Sequence, residues 1–311
     1  MKKIGRLLFT VSLLLILTGV VFLKQDSIIT IFKTYFTSND SKVVISDKNE
    51  YYRDYDFLFV QNIDNKVPSD YQDLLNVYYT VINSGKDEFT FYCPKNKYSD
   101  CLNDVEAIAN DQTLLSNINN YVHPYNAFSN IETEFDNLGK ITIKIVRPYN
   151  KDDISKINNK VDKIYNELYD KDKSAQDNIK TFHDYIINNS KYDSDRSDRN
   201  IINYRSDIAY GPLFEGYAIC GGYTDLMQLF LEKMNLKSFR ISSHMHIWNV
   251  VLINDKWYHI DLTWDDPVAS DGIDYLSQDY LLIDTNKLLN MEKTQHKFDE
   301  NIFLEVKETN H

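Results

Sequence analysis

Cys220, in the run FEGYAICGGYTDLM, is the one thiol in the chain with no second cysteine near it in sequence. Tyr223, Leu226, Met227, Phe230 and Met234 follow at helical spacing, which puts Cys220 at or beside a helix N-terminus. The partial positive charge of a helix start favours thiolate over thiol. Gly221 and Gly222 are poor helix residues. They make sense in a first turn that a substrate backbone approaches closely, where backbone N–H groups can also hold a developing oxyanion. The competing reading is a small apolar side chain buried under a helix start.

A thiol attacks a carbonyl only after losing its proton, and an imidazole oriented by a carboxylate is the usual means. The stretch HMHIWNVVLINDKWYHIDLTWDDP holds three histidines and an aspartate in two strand-like runs, His246–Ile253 and Lys256–Thr263. Asn254-Asp255 between them reads as a two-residue hairpin turn. Ile253 then pairs with Lys256, and paired positions sum to 509. Trp248 falls opposite Asp261 and His246 opposite Thr263, so His246 and Asp261 are diagonal neighbours on one face. A three-residue loop would put them on opposite faces. His244 and His259 share the parity of His246, so spacing does not choose among the three.

The elements around this segment are α and β mixed. Residues 25–50 read as a polar stalk and 51–150 as a small accessory α+β module. Within the module a helix opens at Pro68-Ser69-Asp70 and stops at Gly85, Glu88–Tyr92 is a strand, and Val105–Val122 is one or two helices. Ile131–Phe135 and Ile141–Val146 form a strand pair. Two helices follow, one carrying Ile154, Ile157, Val161, Ile164 and Leu168, the next starting at Ser174 with Asp177 as a near capping box. SDRSDRN reads as a loop or lid. Cys93 and Cys101, eight residues apart, are a disulfide candidate, with two unpaired thiols as the alternative. A bridge there contributes on the order of 2–3 kcal/mol. No cofactor motif and no metal-type Cys/His spacing is present. Asp265, Asp266, Asp271 and Asp274 lack a calcium-loop pattern and read as a solvated loop.

Three blocks in order resemble the bacterial transglutaminase-like superfamily: Gly216-x-x-x-Cys220-x-Gly222-Tyr223, His246-x-Trp248-Asn249, and Trp257-Tyr258-His259-x-Asp261-x-Thr263-Trp264-Asp265-Asp266-Pro267. Tyr192-Asp193 and Ala209-Tyr210-Gly211 look similar too, so the likeness covers residues 174–285. It implies a papain-like α+β architecture over 151–311, with the nucleophile helix packed on an antiparallel sheet. It implies Cys220, His246 and Asp261 as the catalytic set, choosing His246 over His244 and His259. Gly221, Tyr217 and Trp248 are the candidates for oxyanion or substrate contacts. Glu215 departs from the pattern, which leads one to expect a neutral or small polar residue there.

The chain has 311 residues, 26% charged, with net charge −12 and no basic stripe, which argues against nucleic acid as a partner. Lys2, Lys3 and Arg6 precede the apolar run Leu7–Leu23. Seventeen helical residues span roughly 25 Å, a little under a hydrocarbon core. No A-x-A site follows, and Val20 stands where a lipidated cysteine would be. Residues 1–24 are therefore expected to be an uncleaved single-pass anchor, with the rest outside the cytoplasm. A cleaved signal and secretion is the alternative. The expectation is an extracytoplasmic cysteine enzyme that acts on peptide, isopeptide or glutamine amide bonds of proteins or wall peptides. A non-catalytic surface module that keeps the fold is the other hypothesis.

Overall fold

The computed structural model describes residues 24, 41–94, 96–267 and 276–308. Residues 1–23 of the expected anchor, the stretch 25–40, Asp271 and Asp274 lie outside the described residues. Among those described, no helix is long and apolar enough to cross a membrane.

Helix α1 (Tyr71–Asn83) starts because Asp70 caps it, accepting from the Asp73 amide at 2.9 Å. It buries Leu74, Val77, Tyr78 and Val81 and ends before Gly85, whose φ is +79°. Strand β1 (Glu88–Tyr92) is followed by α2 (Cys101–Asn110) and α3 (Gln112–Asn119). Asp111 separates the two helices and caps the second through the Leu114 amide. A Cys93–Cys101 disulfide ties the end of β1 to the start of α2. Strands β2 (Asn130–Phe135) and β3 (Lys140–Val146) complete an antiparallel sheet of order β1-β3-β2.

Helices α4 (Lys151–Leu168) and α5 (Ala175–Asn189) are capped by Asn150 and Ser174. Ile157, Val161 and Ile164 line the buried stripe of α4. The SDRSDRN stretch, expected as a loop or lid, forms a short helix, α6 (Ser194–Arg199), after the two-residue strand β4 (Lys191–Tyr192). Asp193 caps its start, Arg199 pairs with Asp195 one turn back, and Asn200 ends it in the left-handed region. These are local bonds between polar residues, so no apolar period announces the helix.

Strand β5 (Tyr217–Ala218) runs parallel to β4 and leads into α7 (Cys220–Lys233). The antiparallel sheet of β6 (Ser238–Ser242), β7 (Ile247–Ile253), β8 (Lys256–Ile260) and, beyond the four-residue helix α8 (Leu262–Asp265), β9 (Leu281–Ile283) follows. Helices α9 (Thr285–Met291) and α10 (Leu304–Glu308) close the described chain. This sheet has core on both faces. Trp248 and Val250 pack with Phe239, Trp257 and the apolar residues of α1 and the first sheet. Val251 and Ile253 pack with α4, α5 and α7. The period-2 alternation of β7 thus divides between two cores. Val43 and Ile45, inside the stretch read as a stalk, are buried in the first core.

Candidate active site

Helix α7 begins where Ile219 adopts an extended backbone and offers no side-chain cap. Cys220 is the first helical residue, partly exposed, and unpaired with another cysteine. The two glycines after it stand against the chain's own backbone. A Cβ on Gly221 would stand 2.6 Å from the Asp207 carbonyl oxygen, and one on Gly222 2.3 Å from that of Ser206. The missing side chains let the chain's own 206–207 loop press against the helix start. That loop also accepts the Ile219 amide at 2.8 Å and is fixed by Ser206 donating to the buried Asp193 at 2.6 Å. The unexpected Glu215 has a structural task beside it, accepting the Arg205 amide at 2.7 Å.

The hairpin brings the other two residues to Cys220. Asn254 and Asp255 have φ of 49° and 62°, the pair of left-handed residues that a type I′ turn requires. Ile253 pairs with Lys256 and the ladder keeps that register to Asn249 and Ile260. His246 and Asp261 stand just past the ends of β7 and β8. His246 Nε2 lies 2.5 Å from Asp261 Oδ2. Cys220 stands close enough to the same imidazole for the two groups to interact electrostatically. The spacing is set by Thr224, one turn after Cys220, whose hydroxyl donates to the Ile247 carbonyl at 3.0 Å. Asn249 returns a bond from β7 to the Thr224 carbonyl at 3.0 Å.

Asp261 is almost fully buried and spends every acceptor position. Oδ1 caps α8 through the Thr263 and Trp264 amides at 2.9 and 3.3 Å. Oδ2 faces His246 and, at 2.8 Å, the Nε2 of His296. Burial opposes its charge, but the two histidines hold its carboxyl well below the usual carboxylate range. Burial likewise opposes a charged His246, and the Asp261 carboxylate with Cys220 overcomes it, pushing the imidazole up to about 10.

The remaining candidates separate. Trp248 is buried, stacks on the His246 ring at 5.6 Å, and donates Nε1–H to His259 Nδ1 at 2.9 Å. It is the wall behind the imidazole. His259 is a core residue whose Nε2 meets Thr285 Oγ1 at 2.9 Å; burial and the neighbouring His296 push it down to about 3. His244 is exposed. Tyr217 stacks on Tyr204 with ring centres 4.1 Å apart. Tyr192, opposite Ala218 in the β4–β5 pair, has its phenol close enough to Cys220 for their charges to interact. Asp265 and Asp266 are buried rather than solvated: Asp265 accepts the Tyr280 amide at 3.0 Å and meets His183 Nε2 at 3.1 Å, and Asp266 accepts from the Tyr223 hydroxyl.

His296, which sequence reasoning missed, shares Asp261 with His246. The pattern around it, Gln295-His296-Lys297, carries no motif, and it reaches Asp261 from 35 positions away. His246 Nε2, Asp261 Oδ2 and His296 Nε2 lie within 4.8 Å of one another. Both nitrogens stand from the carboxylate at hydrogen-bond distance, so the three groups form a proton network.

No protein-family model and no curated protein matches the chain in sequence. Solved structures similar to part of it include a TGase and a candidate cysteine protease. A TGase crystal structure aligns at 15% identity and a TM-score of 0.33, over 44% of this chain and 45% of that one. A candidate cysteine protease from Cytophaga hutchinsonii aligns at 14% identity and a TM-score of 0.29, over 48% of this chain and 65% of that one. The chain thus spans less than two thirds of either neighbour.

Proposed function

We propose that this chain is a cysteine acyl-transfer enzyme of the transglutaminase-like type, with Cys220 as nucleophile, His246 as its acid and base, and Asp261 as the orienting carboxylate. One observation carries the reading: a partly exposed thiol at a helix start stands beside an imidazole that a buried, fully bonded carboxylate holds. Such an imidazole takes the thiol's proton. The sulfur attacks an amide carbonyl, and the imidazolium returns the proton to the departing amine or ammonia, leaving a thioester. The uncapped first-turn amides of α7 are the candidate oxyanion donors.

Water then regenerates the enzyme by hydrolysis, or a lysine amine captures the acyl group as a cross-link. Peptide, isopeptide and glutamine amide bonds of proteins or wall peptides are the substrate class, with hydrolysis favoured because no amine-binding site is evident in the sequence. The cationic start and apolar run of residues 1–24 support display outside the cytoplasm on a membrane anchor.

Iodoacetamide kinetics on the purified chain test the nucleophile. Alkylation at Cys220 near neutral pH is expected to be fast, and slower in His246→Ala; equally slow alkylation in both overturns the reading. Glutamine peptides offered with a labelled primary amine then separate the outcomes. Label uptake lost in Cys220→Ala identifies transfer, and ammonia or peptide release without label identifies hydrolysis.

A further inference from the structure

The proton network does not end at Asp261. His296 is fully buried, and its two ring nitrogens both face carboxylates, Nε2 at 2.8 Å from Asp261 Oδ2 and Nδ1 at 3.2 Å from Glu292 Oε2. A neutral imidazole has one N–H and can donate to one of them; only the imidazolium donates to both. Glu292 is built to be the outer carboxylate. It sits in the turn after α9 and accepts the amides of Thr294, Gln295 and His296 at 2.7, 2.6 and 3.1 Å. Burial opposes its charge, yet these amides hold its carboxyl down at about 2. The His296 ring is gripped on its faces and edges. Tyr280 stacks on it at 5.4 Å, and Trp248 and Trp264 stand 5.0 and 5.3 Å away. The titratable groups facing it are thus Asp261, Glu292, Tyr280, and the rings of His246, at 5.4 Å, and His259.

Resting on the acyl-transfer reading above, we propose that His296, charged and clamped by Glu292, is a positioning residue that shares Asp261 Oδ2 with His246 and sets how tightly His246 holds its proton. A buried carboxylate serving one imidazole alone binds the imidazolium hard, and an imidazolium held too hard is a poor acid for the leaving amine. A second donor on the same oxygen divides the carboxylate's charge, and its own positive charge 5.4 Å from the His246 ring opposes a second proton there. The same bond fixes the rotation of Asp261, whose other oxygen is already held by α8.

The test follows the His246 ring by NMR across pH in the full chain, beside the iodoacetamide rates. His296→Gln keeps an N–H for Asp261 but removes the charge. The His246 titration is expected to move up by about one to two pH units, with alkylation near the parent rate. Glu292→Gln, which leaves His296 in place, should move it the same way by less. His296→Phe removes both bond and charge, and alkylation should slow as well. An unmoved His246 titration in folded His296→Gln and Glu292→Gln overturns the inference, and those two variants decide it even if His296→Phe does not fold. Slow parent alkylation that ignores His246 instead strikes the acyl-transfer reading, a separate result on a separate readout.

Discussion

His246 is raised to about 10 although it is buried, and burial alone would lower it. The attraction of Asp261 and Cys220 therefore exceeds the desolvation cost. This has a sign in stability. An unfolded histidine releases its proton near pH 6.5, roughly, while the folded one keeps it. The stability gained is fully present below that unfolded value and is lost as pH rises through about 10. Urea midpoints measured from pH 7 to pH 10 should therefore fall more steeply in the parent than in His246→Ala; parallel declines would contradict the assigned ion pair. At this scale the sequence reveals types but not surroundings. Cys220, His246 and Asp261 stand in readable motifs, and the structure brings them together. Trp248 stands in the same motif, yet its indole N–H is spent on His259 and it lines the back of the site. His296 stands in no motif. Its place depends on a turn organised by Glu292, a tertiary feature with no periodic signal.

Two elements set the distance between nucleophile and base, and each can be changed alone. The hairpin was legible because Asn254-Asp255 tolerates the positive φ of a tight turn and the flanking runs are β-branched and aromatic. Inserting one residue between Asn254 and Asp255 shifts the strand parity by one. We expect alkylation of Cys220 in that variant to fall to the rate of His246→Ala while the strand content measured by circular dichroism persists. The anchoring of α7 was not legible, because Thr224 looks like any other polar residue in a helix. Its hydroxyl holds the Ile247 carbonyl beside His246. Thr224→Val keeps the shape and leaves that carbonyl without its donor, at a cost of about 1–3 kcal/mol. Slower alkylation should accompany the lowered urea midpoint. A midpoint loss with an unchanged rate would show that Thr224 supports the helix without positioning Cys220. The glycines give the opposite lesson: their presence at the helix start was evident, but the neighbour they admit, the 206–207 loop, could not be read from local sequence.

Across the whole molecule, the region before residue 150 is joined to the nucleophile helix by buried charge as well as by shared core. Arg240 on β6 donates to Asp225 on α7 at 2.9 Å and to the Asn119 carbonyl at 2.6 Å. Asp225 also accepts the Tyr149 hydroxyl at 2.6 Å, and that hydroxyl accepts the Ala209 amide at 2.8 Å. One network thus links the first module, the sheet, the approach loop and the helix that carries Cys220. The sequence divides into segments by period and composition, and such segmentation cannot show a bond between residues 119 and 240. Asp225 is buried, and burial raises its carboxyl even with Arg240 beside it. Arg240→Met would leave that carboxylate unpaired, a loss of about 3–5 kcal/mol at neutral pH. Without the guanidinium, folding favours the protonated acid still more, so the folded state binds a proton that the unfolded state lacks. Stability then rises as pH falls through the raised value. Urea unfolding should therefore show a deficit for Arg240→Met that is large at pH 7.5 and smaller at pH 5. Arg240→Met combined with Asp225→Asn should recover part of it at pH 7.5, because no charge is left stranded. A deficit independent of pH and unrelieved by the second substitution would mean that Arg240 contributes packing alone, and that the charge network does not couple the module to the nucleophile helix.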